Sequence, residues 1–381
     1  MSDGSFEGQR SEANDDSVGK TERQTDDRGE TAHMKARGVV IGVLVGLLVT
    51  ASFEALRADD EAALLKQAQA LFRPLPYTTG TAGRPTAPAR VALGRMLFFD
   101  PRWTVEGNVS CATCHQPALY GTDALAKSIG VQHRTHPRNA PTVLNAELNF
   151  IQHWWGDRKD LEDQAEKALA GVFSSGHADA GVAAARIEAI EGYAPAFHQA
   201  FPDQAKPVTP TNIGAALGAY ERTLVTPSPF DAYLRGDAHA IPPLAKRGLR
   251  QFIDRGCVSC HNGVGVGGQM FQKFGLVEEY WKATASPEID KGRFGFTKNP
   301  ADLYVFKVPS LRNVAMTAPY FHDGSVATLH EAVKVMGRVQ LGLTLPDAEV
   351  GEIVAFLRML TGPLPENFAT APTLPPVKRD P

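Results

Sequence analysis

All four cysteines of the chain fall into two copies of one short pattern, Cys111-Ala-Thr-Cys114-His115 and Cys257-Val-Ser-Cys260-His261. Two thiols at this spacing can bond the two vinyl groups of one porphyrin as thioethers, and the histidine that follows is then held beneath the iron as an axial ligand. A lone C-x-x-C would equally suit a disulfide, a redox dithiol or half of a zinc site. Those readings explain neither the following histidine nor the repetition, and no cysteine is left over for a second zinc half-site. The pattern predicts two covalently bound haem c groups, one in each half of the chain.

The second axial position of each iron decides what that iron can do. A thioether raises the reduction potential, whereas an open position can bind a small molecule. The candidate methionines are Met96, Met270, Met316, Met336 and Met359. Spacing alone does not choose among them, because most methionines fill cores.

The elements that must hold these groups read as helices. Leu56, Ala63, Leu64, Ala68, Leu71 and Phe72 fall near helical spacing, and Pro74, Pro76, Gly80, Gly83, Pro85 and Pro88 are expected to break the chain after them. Further helical patterns cover 159–170, 179–191 and 211–224, with Leu161, Ala165, Ala168 and Leu169 as the buried stripe of the first. A helix opens near Pro243 and runs through Phe252 and Ile253; another carries Val350, Ile353, Val354, Leu357 and Leu360 and stops at Gly362-Pro363. No comparable run of alternating strand residues is visible. The expected fold is mainly α, with two cytochrome c-type haem domains at 54–230 and 243–363, a boundary within Pro227–Pro243 and a carboxy-terminal tail at 364–381.

A length of 381 residues with 43% hydrophobic content supports such cores. A net charge of −3 leaves no excess of Lys and Arg, which argues against a nucleic-acid partner. Residues 1–35 are rich in charge with one aromatic, Phe6, and read as a disordered tail. The uncharged run that begins at Gly38, preceded by Lys35 and Arg37, reads as an export signal at 36–53. Cleavage after Ser52 or Ala58 would release the protein, and retention would anchor it in the inner membrane by residues 38–53. A start at Met34 would make the signal an ordinary one. The bulk is expected in the periplasm, outside the cytoplasm, where haem c is attached.

Several longer segments add to the haem motifs. They are Leu93-Gly-Arg-Met-Leu-Phe-Phe-Asp100, Pro137-Arg-Asn-Ala-Pro-Thr-Val-Leu-Asn145, Val308-Pro-Ser-Leu-Arg-Asn313 and Thr317-Ala-Pro-Tyr-Phe-His-Asp-Gly324, followed by Met336 and Gln340-Leu-Gly342. Through them the chain resembles, over roughly 91–362, the bacterial dihaem cytochrome c peroxidases. That family also holds the dihaem enzyme that matures the tryptophan-derived quinone of methylamine dehydrogenase. The resemblance implies that Met336 is the distal ligand of the second haem, making it the electron-accepting centre. A quinone-maturing enzyme would be expected to carry Tyr there. It also implies that Trp154 relays electrons between the haems, and that Asn139 with the carbonyls of Thr317 and Pro319 binds calcium. On residue type alone, Trp154 would be a core aromatic and Asn139 a turn residue. The implied partners are hydrogen peroxide and a small electron donor, a cytochrome c or a cupredoxin, and a homodimer is one assembly to expect.

The departures from the family pattern lie at the first haem. Val131 stands where the family has a displaceable distal histidine, with His133 and His136 shortly after it, and Ser174 stands where an acidic acid-base residue is expected. The family's F-W-D-G-R becomes His153-Trp-Trp-Gly-Asp-Arg158. Peroxide cleavage needs a group that moves a proton from one oxygen to the other. His133 and His136 are the candidate substitutes, as acid-base groups or as ligands, with Glu147 and His153 next. The expected activity is peroxide reduction. The alternatives are an electron-transfer cytochrome without peroxidase activity, or an oxidase of a partner protein or organic substrate.

Overall fold

A computed structural model describes residues 59–75 and 87–376. The expected tail at 1–35, the signal or anchor at 36–53, Leu56 and the breakers Pro76, Gly80, Gly83 and Pro85 lie outside the described residues.

The chain is mainly helical, as its periodicity requires. Helix α1 covers residues 59–71 and α2 Pro88–Phe99, followed by the single turn α3 at Cys111–Cys114. Then come α4 (Leu161–Ala168), α5 (Ala180–Glu188), α6 (Tyr193–Ala200), α7 (Pro210–Glu221) and α8 (Pro229–Leu234). The second half has α9 (Pro243–Asp254), the single turns α10 (Tyr280–Ala283) and α11 (Phe294–Thr297), α12 (Leu329–Leu341), α13 (Asp347–Arg358) and the short α14 (Glu366–Ala369). Strands β1 (Phe271–Lys273) and β2 (Val305–Lys307) form one small antiparallel sheet in which Phe271 pairs with Lys307.

Pro88 corrects one expectation. It opens α2 at its first turn, where the missing N–H has no helical partner to lose, and so starts a helix instead of only breaking the chain.

The same crossing builds both halves. Helix α2 packs on α7 through Gly94, where any Cβ would collide with the Ala216 carbonyl. Helix α9 packs on α13 through Gly248, where a Cβ would collide with the Glu352 carbonyl. Each glycine lets two backbones approach closer than side chains allow. The first crossing centres a core of Leu93, Leu97, Phe98, Tyr193, Phe197, Leu217 and Tyr220; the second centres one of Leu249, Phe252, Val350, Ile353, Phe356 and Leu357.

Three chain segments pack away from their place in sequence. Leu64 and Ala68 of α1 with Phe72 just after it, and Phe230 and Tyr233 of α8 within the expected boundary, belong to the second core. Phe368 of α14, in the expected tail, is buried in the first core, and the Arg95 side chain donates to the carbonyls of Asn367 and Thr370, at 2.7 Å in each case. Burial of apolar side chains is non-directional, so sequence order does not restrict which core a short helix covers.

Candidate functional site

Ser110 and Thr113 cap α3: the Ser110 N–H donates to the Thr113 hydroxyl at 2.9 Å. That single turn places Cys111, Cys114 and His115 on the wall of a cavity of about 450 Å³. His115 Nδ1 pairs with the Gly121 carbonyl at 3.0 Å, which leaves Nε2 without its proton and open to a metal. Burial keeps the His115 pKa below the ordinary histidine value, so the ring stays neutral, and burial raises the Cys114 thiol to about 11.

The sequence-selected groups divide sharply around this cavity. Val131 is wholly buried, and its N–H donates to the Phe173 carbonyl at 3.0 Å. His133 is exposed on the adjoining turn and does not line the cavity. His136 does line it, its ring packed at a tilt of 38° against Phe173 with centroids 4.9 Å apart. Burial lowers its pKa, and the nearby His115 adds to that effect. Ser174 is also in the wall, but its hydroxyl donates to the Ala168 carbonyl at 2.7 Å. Glu147 instead pairs with Arg222 at 3.2 Å.

His153, in a left-handed conformation at φ 66°, lines the same cavity and pairs through Nδ1 with Asp157 at 2.8 Å. Burial alone would raise the Asp157 carboxyl, but His153 and Arg158 outweigh it and hold it below the ordinary range. The pair was legible in sequence as two residues four apart; their common orientation was not. Glu221, also in the wall, went unnoticed in sequence because it sits within a helical stripe. Burial pushes its carboxyl up to about 8.

A second cavity of about 250 Å³ holds Cys257, Cys260, His261 and Met336. Met336 sits in the middle of α12, a helix started by the Thr328 hydroxyl, which accepts from the Glu331 N–H, and ended by Gly342 at φ 66°. It is the one methionine among the residues lining either cavity. Met96 packs on the first core, Met359 packs on the second, and Met316 is 46% exposed. Burial lowers the His261 pKa to about 4. Each cavity therefore offers two thiols and the neutral imidazole that follows them in sequence, the donor set a haem c requires, and the second adds a thioether.

Trp154 belongs to the walls of both cavities, whereas Trp155 borders only the first, where Arg138 lies 3.8 Å from its ring centroid. The Trp154 indole donates to the Asn139 carbonyl at 3.0 Å, and its own carbonyl accepts from the Lys307 N–H at 2.7 Å. Asn139, Thr317 and Pro319 share the second cavity's wall with it. The Asn139 amide Nδ2 donates to the Leu125 carbonyl at 2.9 Å, leaving Oδ1 as the oxygen a hard cation could use. Among the described residues no cluster of three or more His, Cys, Asp or Glu is arranged for a metal ion, so a cation here would rest on neutral oxygens.

Residues 88–239 match the family described as di-haem cytochrome c peroxidase. The cytochrome c551 peroxidase of Pseudomonas aeruginosa is 44% identical over 84% of this chain and 92% of its own. That of Nitrosomonas europaea is 43% identical over 76% of this chain and 84% of its own. A crystal structure of a MauG-like protein associated with microbial copper homeostasis superposes with a TM-score of 0.68 at 29% identity, covering 78% of this chain and 95% of that one.

Proposed function

The chain belongs to the di-haem cytochrome c peroxidase family, and we propose that its first cavity reduces hydrogen peroxide to water with electrons delivered by a cytochrome c through the second. The observation that carries this reading is the position of Trp154 in both cavity walls, the one place where a π-system can connect the two centres. The haem attached at Cys111 and Cys114 would supply the oxygen binding and electron exchange.

The protein's own groups divide the remaining work. Nε2 of His115, freed by the Nδ1 bond to the Gly121 carbonyl, would hold the iron of the first haem. His136 takes the proton from one peroxide oxygen and returns it to the other, the part an acidic residue would play at Ser174. Burial holds its pKa below the ordinary histidine value, which favours the neutral ring that can accept a proton. His153, oriented by Asp157, brings further protons from the open side of the cavity; its side chain is 34% exposed. One peroxide takes two electrons and two protons and leaves as two waters. His261 and Met336 would hold the second haem, and the Met336 thioether would favour its reduced state and suit it to accept electrons.

A calcium ion on Asn139, Thr317 and Pro319 would brace the segments on either side of Trp154. We place the protein in the periplasm. No helix among the described residues is long and apolar enough to cross a membrane.

The test is direct. Holoprotein given peroxide and reduced cytochrome c should oxidise the cytochrome, and its resting spectrum should contain a high-spin ferric component. Two low-spin haems with no peroxide reaction, even after half-reduction, would replace this reading with that of an electron carrier.

A further inference from the structure

Lys307 ends strand β2 with its side chain in the wall of the second cavity and only 6% of its surface exposed. Its ammonium has one neighbour within hydrogen-bond range, the Asn149 amide oxygen at 3.5 Å, and no carboxylate among the described residues pairs with it. Burial, with no opposing attraction, pulls its pKa down to about 8. A buried ammonium without a counter-ion is unfavourable, so proteins supply one or lose the charge.

The other cations in this wall are already accounted for. Arg312 is wholly buried, but it grips both oxygens of Asp231, each at 2.9 Å. Lys273 is exposed to solvent. Lys307 is the buried cation left facing the cavity. Haem c carries two propionates, and a low-dielectric cavity must neutralise those that water does not reach.

We propose that Lys307 binds a propionate of the second haem, and that its backbone bond to Trp154 thereby sets the carboxylate edge of that haem against the tryptophan. The inference rests on the second cavity holding a haem. One residue would then hold both sides of the electron path: its N–H is fixed to the Trp154 carbonyl at 2.7 Å, and its ammonium to the haem. Reduction adds negative charge to the haem, so a cation at its edge favours the reduced state.

The experiment uses holoprotein carrying Lys307→Met or Lys307→Gln, with Lys307→Arg as the charge-retaining control. Potentiometric titration should show the second haem's midpoint falling in the two neutral variants while the first haem's stays in place. The resonance Raman propionate bending mode of the second haem should move with it, and Lys307→Arg should preserve both. If Lys307→Met fails to accumulate, Lys307→Gln gives the same readout with the chain's polarity kept. Two haems per chain with an unmoved potential and an unmoved propionate mode would overturn the Lys307 assignment alone. One haem per chain in the unaltered protein, counted by its pyridine haemochrome, would overturn the haem reading on which it stands.

Discussion

In the first cavity, His115 shares the wall with His136, His153 and Asp157, and among the described residues no methionine lines it. In the second, His261 shares the wall with Met336 and with Leu329, Val333 and Leu357. Both are placed by the same kind of glycine-mediated helix crossing, at Gly94 and at Gly248. The frame is thus repeated while the contents differ. A thioether opposite the proximal imidazole closes an iron to small molecules, and proton-carrying side chains around an iron that lacks one prepare it for chemistry.

The largest expected effect falls on the reactive side. His136→Ala should lower peroxide turnover by ~10²–10⁴-fold, the usual contribution of a positioned acid-base group, while both haems stay attached. Stopped-flow oxidation of a reduced cytochrome c would measure it. A rate within a few-fold of the unaltered protein would move the acid-base role to His153. Should His136 instead be an iron ligand, its removal would turn a low-spin first haem high-spin and speed peroxide binding.

Next in size is Met336→His. Axial ligands set haem potentials over a range of ~0.8 V, so this exchange should lower the second haem by on the order of a tenth of that range and leave the first alone. Redox titration with separate optical signals for the two haems decides it. An unmoved second potential would hand the ligand role to another residue and erase the contrast between the cavities.

The pH profile sharpens the comparison further. Burial depresses the His136 pKa, with His115 and His153 adding to the depression and Asp123 opposing it. A base must be neutral to accept a proton, so the acid limb of kcat/KM should be centred below 6.5 and fall by about tenfold per unit once His136 is protonated. An acid limb centred at or above 6.5 would show that another group governs the rate.

Chelation of calcium should slow electron transfer between the haems by a few-fold without changing the spectrum of either, since Asn139 accepts the Trp154 indole bond through its carbonyl. Flash photolysis of half-reduced protein before and after chelation gives the comparison. The smallest effect belongs to His133→Ala. An exposed side chain outside the cavity should change turnover by less than about twofold, within the range of ordinary surface substitutions.

Much of this was legible before any coordinates. Haem attachment is chemistry between neighbours in sequence, so Cys111, Cys114 and His115, and Cys257, Cys260 and His261, announce themselves by spacing. Helical periodicity is equally local: the patterns at 159–170 and 179–191 enclose α4 and α5, and the one at 211–224 covers all of α7 but its first residue, Pro210. Selection among equivalents could not be read the same way. His133 and His136 are three residues apart in one polar loop, yet a turn with Gln132 and His133 at positive φ exposes one, while packing on Phe173, far along the chain, draws the other inward.

Sequence by itself therefore determined the two cysteine pairs that imply two haems, the histidine beside each pair and the mainly helical build, because each depends on residues within a few positions of one another. Tertiary structure alone decided the rest. It made Trp154 rather than Trp155 the residue common to both cavities, left Met336 as the methionine in a cavity wall, and sent Phe368 of the expected tail back into the first core. It also left Lys307 buried without a carboxylate, beside a tryptophan more than a hundred residues earlier. The physical reason is common to these cases: burial and charge pairing depend on distance in space, and residue spacing encodes that distance only within a single element.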